Sequence, residues 1–471
     1  MKLSRRDFVS AAAAAGVLTP SRAAAQGEVV TPEHFGAKGD GHTNDTEAFA
    51  RMSAFVTRRG GGEVRLRKTT YVVGRQVPGR GREWGFPFAP TTIMQFTGCS
   101  RPLTIRGQGA RLLCAPGLRY GTFDPHTGEA ARHPMPYMAR GELSAPYYAM
   151  VQVERCSGPI VISDLELDGN LPKLRIGGQY GDTGWQLPAA GIKLIDNSGP
   201  ERLQRIHSHH HALDGLSIDG VDDRAARSSI EQFVSDHNGR QGCSITGGRG
   251  YSFTGCKFNH TGKAGLSSAP GAGVDIEAEG GNRIRDLAFS ACEFSNNTGA
   301  GVVADSGDSE GASFANCRFI GTTNWAVWPN KPRFRFENCT FVGAIVHAFG
   351  DADPARAARF TACSFLDDPA LSPTGEVYGG ENPSRPIADL PGNPNVLFDR
   401  CKFLLTHRSV LPWTVNVVIF KDCVMSQRAP AESYPRGTFV GRNVINGNVV
   451  LYSARIRGEL ILNGKLIPPN G

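Results

Sequence analysis

Between Gly191 and Asp305 the chain repeats a glycine-opened pattern whose polar positions are residue types that move protons or hold cations. The copies read Gly191-Ile192-Lys193-Leu194, Gly215-Leu216-Ser217-Ile218-Asp219, Gly242-Cys243-Ser244-Ile245-Thr246, Gly273-Val274-Asp275-Ile276-Glu277 and Gly301-Val302-Val303-Ala304-Asp305. Side chains of a strand alternate between faces, so the apolar first and third positions turn inward and the second and fourth turn outward. This predicts an outward column of Asp219, Thr246, Glu277 and Asp305 beside Lys193, Ser217, Ser244 and Asp275. Carboxylates stacked in this way raise one another's pKa or share a cation, and Asp219, Glu277 and Asp305 are the candidate calcium ligands. The row at Asp275 and Glu277 holds only if Gly273, rather than Gly265, opens its strand.

Two more columns precede the same glycines. Five residues back stand Gln186, His210, His237, His260 and Asn296, and two back stand Leu213, Arg240, Lys263 and Gly299, with His260 and Lys263 counted from Gly265. The candidate catalytic set is therefore His237, Arg240, His260, Lys263, Asp275, Glu277 and Asp214. His210, Lys193, Trp325 and Trp328 are the candidate substrate contacts, the indoles as platforms for a sugar ring. Each has a plainer alternative: a polar ladder at a turn, a solvated carboxylate, a tryptophan in the core.

The elements that position these columns are set by a second repeat. Seven times an aromatic-x-x-Cys-x-apolar pattern recurs, from Phe253-Cys256-Phe258 to Phe420-Cys423-Met425, with cysteines 36, 25, 22, 24, 38 and 22 residues apart. Units this short cannot hold two helices. Their Phe, Val, Ile and Gly content, and polar breaks such as Asn296-Asn297-Thr298-Gly299, fit short strands and tight turns. Stacked coils of this kind make a solenoid, an all-β single-stranded parallel β-helix. The total of eleven cysteines is odd, and seven keep one phase next to phenylalanine, so buried free thiols are expected rather than a disulfide framework.

Residues 1–25 read as an export signal of the twin-arginine type: Arg5-Arg6, a short apolar run, then Ala23-Ala24-Ala25 before Gln26. The expected location is the periplasm or beyond, with 26–471 as one β-helix domain. Removing the signal takes away Lys2, Arg5, Arg6, Arg22 and Asp7 and lowers the net charge from +7 to +4. That permits an acidic substrate. It offers no basic block for nucleic acid, and no further segment is apolar enough for membrane insertion.

Ahead of the repeats, Phe35-Gly36-Ala37-Lys38-Gly39-Asp40-Gly41 leads to Asn44-Asp45-Thr46, where Asn44 or Asp45 can cap a helix with Phe49, Met52, Phe55 and Val56 on one face and Gly60-Gly61-Gly62 at its end. Such a helix would close the open end of the solenoid. The stretch, about residues 29–75, resembles the amino-terminal signature of the pectate-lyase-like (pectin lyase fold) superfamily, which polygalacturonase-related proteins and phage tailspikes share. The resemblance implies a right-handed parallel β-helix with an N-terminal capping helix and a polysaccharide partner, and leaves the reaction open.

The hydrolase branch of that superfamily carries an asparagine-x-aspartate, a paired aspartate, a glycine-histidine-glycine and an arginine-isoleucine-lysine. Here Ala212-Leu213-Asp214-Gly215 keeps one aspartate, Arg240-Gln241-Gly242 replaces the pair, and the later motifs are missing. A lyase acting on a uronate needs a group that neutralises the carboxylate, a base for the C5 proton and an acid for the leaving oxygen. The residues above supply these types, so β-elimination leads, with the base unassigned. A glycoside hydrolase, a C5-epimerase and a non-catalytic glycan-binding solenoid are the alternatives. Tyr120-Gly121-Thr122-Phe123-Asp124-Pro125-His126 is similar to an alginate-epimerase motif but carries an extra residue in a segment without repeats, and a plain loop is expected there. Calcium is the one cofactor expected, and the oligomeric state is left open.

Overall fold

The computed structural model describes residues 29–78, 88–124, 127–130, 143–178, 187–222, 227–323, 325–343, 345–377, 385–414 and 417–471. The expected signal at 1–25, together with Trp84, His126, Trp185 and Gln186, lies outside them.

Helix α1 (Thr46–Arg58) buries Phe49, Met52 and Val56, while Phe55 packs against Phe35 with ring centroids 5.5 Å apart. The two residues ahead of α1 divide the work expected of one cap. Asn44 Oδ1 accepts the Thr46 amide at 3.1 Å, and the Asp45 carboxylate instead accepts the Lys38 and Gly39 amides at 2.7 and 3.0 Å. The glycines of the signature are there for backbone shape. Gly36, Gly39 and Gly41 all have positive φ, and a Cβ on Gly39 would meet Tyr71 and Thr69 at 2.8 and 2.9 Å.

From residue 62 onward the chain winds as a parallel β-helix, each strand pairing with the one a coil later. One wall, here called the ladder sheet, is built of strands that turn a corner halfway. At each corner a residue in the left-handed region stands just before the cysteine: Gly255, Ala291, Asn316, Asn338, Ala362, Arg400 and Asp422. The aromatic-x-x-Cys-x-apolar pattern is therefore a strand, a corner and a second strand. The cysteine fills the inside of the corner, and its thiol donates to a carbonyl one coil back, as Cys339 does to Phe314 at 3.4 Å and Cys401 to Phe360 at 3.3 Å. All eleven cysteines are buried and free.

The flanking phenylalanines form two stacks along the axis. Phe253, Phe289, Phe314, Phe336, Phe360, Phe398, Phe420 and Phe439 stack with centroids 4.5–5.4 Å apart, and Phe294, Phe319, Phe341, Phe365 and Phe403 run beside them.

The second wall, the site sheet, contains the strands Met94–Thr97, Ala149–Glu154, Ala190–Ile195, Asp214–Asp219, Gln241–Arg249, Val274–Ile276, Val302–Ala304 and Val327–Pro329. Gly273, and not Gly265, precedes the sixth of these. Insertions interrupt the winding, and two of them are long. One carries the strands Arg119–Thr122, Leu143–Ser144 and Arg175–Gly177 as a small side sheet. The other follows Asp367, whose fully buried carboxylate accepts the amides of Thr406, His407, Arg408 and Ser409 at 2.7–3.1 Å. Asp367→Ala leaves four donors to find water, and is expected to cost about 2–3 kcal/mol in a urea melt.

Candidate functional site

Each coil leaves the ladder sheet through a second corner, and the histidine column marks it. His210, His237, His260 and Asn296 all have φ near +54°. In that conformation each side chain lies over its counterpart one coil on. The rings of His210 and His237 stack 5.1 Å apart at 4°, and those of His237 and His260 stack 4.8 Å apart at 2°. The next residue points inward: the His211 amide donates to Asn238 Oδ1 at 2.9 Å, and the Thr261 amide to Asn297 Oδ1 at 3.0 Å. His211 is fully buried, its Nδ1 2.8 Å from the Tyr147 hydroxyl, and burial drives its pKa down to about 3. It is a neutral part of the core.

Past the corner the backbone turns at Gly215 and Gly242, where side chains do not fit: a Cβ on Gly215 would lie 2.0 Å from Ser235 Oγ. The turn leaves Asp214 and Gln241 paired in register on the outward side. Beyond it the outward column runs Lys193, Ser217, Ser244, Asp275, Val303, Trp328, each in register with the next. The columns meet in a polar group that is buried although it lies outside the helix. Gln241 Nε2 donates to Asp275 Oδ2 at 2.5 Å, and Arg240 Nη1 lies 3.6 Å from Asp214 Oδ2. Asp214, Arg240, Gln241 and Asp275 are 2, 7, 0 and 4% exposed. Among the described residues nothing hydrogen-bonds to Asp214 Oδ1, Arg240 Nε or Gln241 Oε1. Three buried polar atoms without partners in one place are what a site for a polar ligand leaves open.

The electrostatics follow from burying more acid than base. Burial, then the charges of Glu277, Asp305 and Asp214, push Asp275 up to about 7 against the opposing pull of Arg240. Burial also raises Asp214, which Arg240 and Lys193 only partly offset. For Arg240 burial works against the charge, but Asp214, Asp275 and Glu279 outweigh it and hold the guanidinium protonated. Tyr120, fully buried, reaches this group from the side sheet, and its phenol is raised by burial and then by Asp214.

The structure thus gathers Asp214, Arg240 and Asp275 from the predicted catalytic set, with Lys193 and Glu277 as charged neighbours, and separates the rest. His237 and His260 lie in the corner stack beside Asp236. Lys263 is exposed in the 261–272 insertion, which lifts it off the column. The carboxylates expected to hold calcium are not brought to one point. A bulge after Ile218 pairs Asp219 with Gly247, where it accepts from Asn282 Nδ2 at 2.7 Å. The neighbouring strand ends at Ile276, so Glu277 leaves the column and accepts from Ser306, and Asp305 is exposed. Among the described residues, the groups with three ligand atoms mutually within 4.8 Å all lie instead at the histidine corner. Trp328 is outward, with Trp325 edge-on at 4.3 Å and His347 stacked on it at 4.2 Å and 20°.

Sequence reasoning set Tyr120 aside in a plain loop, whereas Arg119–Thr122 is a strand of the side sheet, and it gave no site role to Gln241 or to the corner residues Asp168, His207, His209 and Asp236. For Tyr120 the available signal was the long non-repeating insertion itself, since segments that break a regular scaffold often bring side chains to a site. For His207 and His209 it was their i, i+2 spacing on one strand.

Residues 151–344 match the family model described as a right handed beta helix region, a stretch that contains Asp214, Arg240, Gln241 and Asp275. The chain is a right-handed parallel β-helix protein. "Depolymerase 1, capsule KN3-specific" of Klebsiella phage KN3-1 is 24% identical over 348 residues, covering 66% of this chain but 39% of that protein. Among solved structures, the N-terminal fragment of bacteriophage Phi29 gene product 12 matches with TM-score 0.48 and 12% identity over 93% of this chain and 73% of its own. The A-module of Azotobacter vinelandii mannuronan C-5 epimerase AlgE4 matches with TM-score 0.43 and 14% identity over 91% and 99%.

Proposed function

We propose that this right-handed parallel β-helix protein is an exported enzyme that cleaves an acidic, uronate-containing polysaccharide by β-elimination on the outer face of its site sheet. The observation that carries the reading is the buried group of Asp275, Gln241, Arg240, Asp214 and Tyr120, in which an acid that keeps its proton to about pH 7 stands beside a fixed cation. The kinship with a capsule depolymerase, distant as it is, supports a polysaccharide as substrate.

In this reading Arg240 and the protonated Asp275 meet the uronate carboxylate and neutralise it, which acidifies the proton at C5. Asp214, made more basic by burial and with a free Oδ1, removes that proton. The electron pair forms the C4–C5 double bond as the C4–O bond breaks. Tyr120, whose phenol holds its proton tightly, donates it to the departing oxygen. Trp328 lies two coils along the axis from Asp275, a distance of about 10 Å, and His347 one coil further, and together they offer a ring surface to a neighbouring sugar.

A hydrolase would use the same pair, with Asp275 as acid and Asp214 as base, and the raised acid favours that second reading over a binding role without turnover. The test is ultraviolet absorbance from an unsaturated uronate, with the chain lacking residues 1–25 and a panel of acidic polysaccharides. A rise on one polymer that falls about 100-fold or more in Tyr120→Phe is expected. New reducing ends without absorbance would replace elimination by hydrolysis, and neither signal on any polymer would end the cleavage reading. Trp328→Ala should raise KM on the same polymer about 3- to 10-fold with kcat little changed.

A further inference from the structure

Where the ladder sheet turns toward the site sheet, its last outward residues form a cluster separate from the one just described. The strand Ile160–Asp168 ends in Glu166 and Asp168, its neighbour Glu201–His209 ends in His207 and His209, and the next ends in Asp236, each pair in register. His209 and Asp168 are 7 and 5% exposed. Three overlapping sets of ligand atoms arise here: Asp168, His209 and His210; His207, His209 and Asp236; and Asp236, His237 and His260.

Ring geometry separates them. His237 and His260 are parallel at 4.8 Å, and His207 and His209 are stacked at 4.1 Å and 28°. Parallel rings send their nitrogen lone pairs side by side, so one ion cannot lie in both ring planes. His209 and His210 are set at 82°, and their Nδ1 atoms lie 2.7 Å apart. Two nitrogens bound to one tetrahedral ion at about 2.1 Å each lie roughly 3.4 Å apart, so the rings part by about 0.7 Å to admit it. Asp168 Oδ1 lies 3.8 Å from His209 Nδ1.

His209 Nε2 faces Glu166 Oε1 at 3.3 Å, the carboxylate-to-histidine contact that fixes a metal-binding ring with Nδ1 free. Arg111 pairs with Asp168 Oδ2 and so leaves Oδ1 on the histidine side, where it accepts the Asn170 amide at 2.7 Å.

We infer that His209 Nδ1, His210 Nδ1 and Asp168 Oδ1 form a binding site for a divalent transition-metal ion of the zinc class, which imidazole nitrogen favours over calcium. The ion would pin the corner from which the chain runs on to Asp214. Calorimetric titration of the chelator-stripped chain with Zn2+ tests this. One equivalent is expected to bind, with no response to Ca2+. His209→Ala and His210→Ala should each weaken it about 100-fold or more, Glu166→Gln about 10- to 100-fold, and His260→Ala not at all. No uptake of Zn2+, or uptake that His209→Ala and His210→Ala leave intact, would show that a shared proton alone joins the two rings. Glu166 is 39% exposed at its side chain, so Glu166→Gln can be read even where the histidine variants do not fold. Unchanged affinity in that variant would overturn the site.

Discussion

Asp275→Asn is expected to abolish activity and to make the protein more stable above neutral pH. The folded chain holds the Asp275 proton up to about pH 7, whereas an unfolded chain releases it near 3.8. A group raised in this way supports the folded state below the lower value and withdraws that support as pH climbs to the upper one. By pH 8 the linkage amounts to about 4 kcal/mol, an order-of-magnitude figure at about 1.4 kcal/mol per unit. Asparagine does not ionise, and its Oδ1 can still accept from Gln241 Nε2, which now lies 2.5 Å from the Asp275 carboxylate. Urea melts at pH 5 and pH 8 should therefore show the variant gaining on the parent chiefly at the higher pH. The same change removes the proton that neutralises the substrate, so turnover should fall about 100- to 10,000-fold. A variant that melts with the parent at pH 8, or that keeps its rate, would remove Asp275 from the mechanism.

A stabilising change that destroys function is the expected behaviour of a site built against folding. Asp214, Arg240 and Gln241 each bury a polar atom without a partner among the described residues, a cost that a bound sugar could offset and that packing alone does not explain.

How much of this could be read beforehand depended on periodicity. The cysteine pattern marked the coils because a corner recurs at fixed phase, and Gly215, Gly242 and Gly273 marked the site sheet because the turn into it leaves no room for a Cβ. Alternation then placed Lys193, Ser217, Ser244 and Asp275 correctly in one column. It misplaced Glu277 and Asp219 because a strand end and a bulge are local departures that a period does not encode. Tyr120 stands in the epimerase-like motif yet reads as loop for a different reason: it arrives through an insertion with no period to place it. The histidines were seen as a column, but whether such a column converges on a point or stacks in parallel depends on ring angles, and spacing alone says nothing about those. The signal segment and the tryptophans at 84 and 185 lie outside the described residues.

The other large effect belongs to the phenylalanine stack. Phe314 is 1% exposed, with Phe289 and Phe336 against its two faces at 4.8 and 4.9 Å and Phe319 edge-on at 5.7 Å. Phe314→Ala would leave a void with rings on both sides, and neither can move toward the other without leaving its own strand register. Incomplete collapse puts the change at the upper part of the range for such truncations, about 3–5 kcal/mol. In a solenoid each coil draws its stability from its two neighbours, so a gap in one coil weakens the coupling between the coils before and after it. Hydrogen exchange should therefore rise first at Phe289 and Phe336 and spread from there. Leu466→Ala removes a comparable apolar side chain that is 66% exposed near the end of the chain, and should cost within about 0.5 kcal/mol. Equal losses in the two variants would mean that burial in the stack does not hold the coils together. A loss in Phe314→Ala without faster exchange at the adjacent coils would mean that the coils fold as one block, and that the ladder contributes volume rather than coupling.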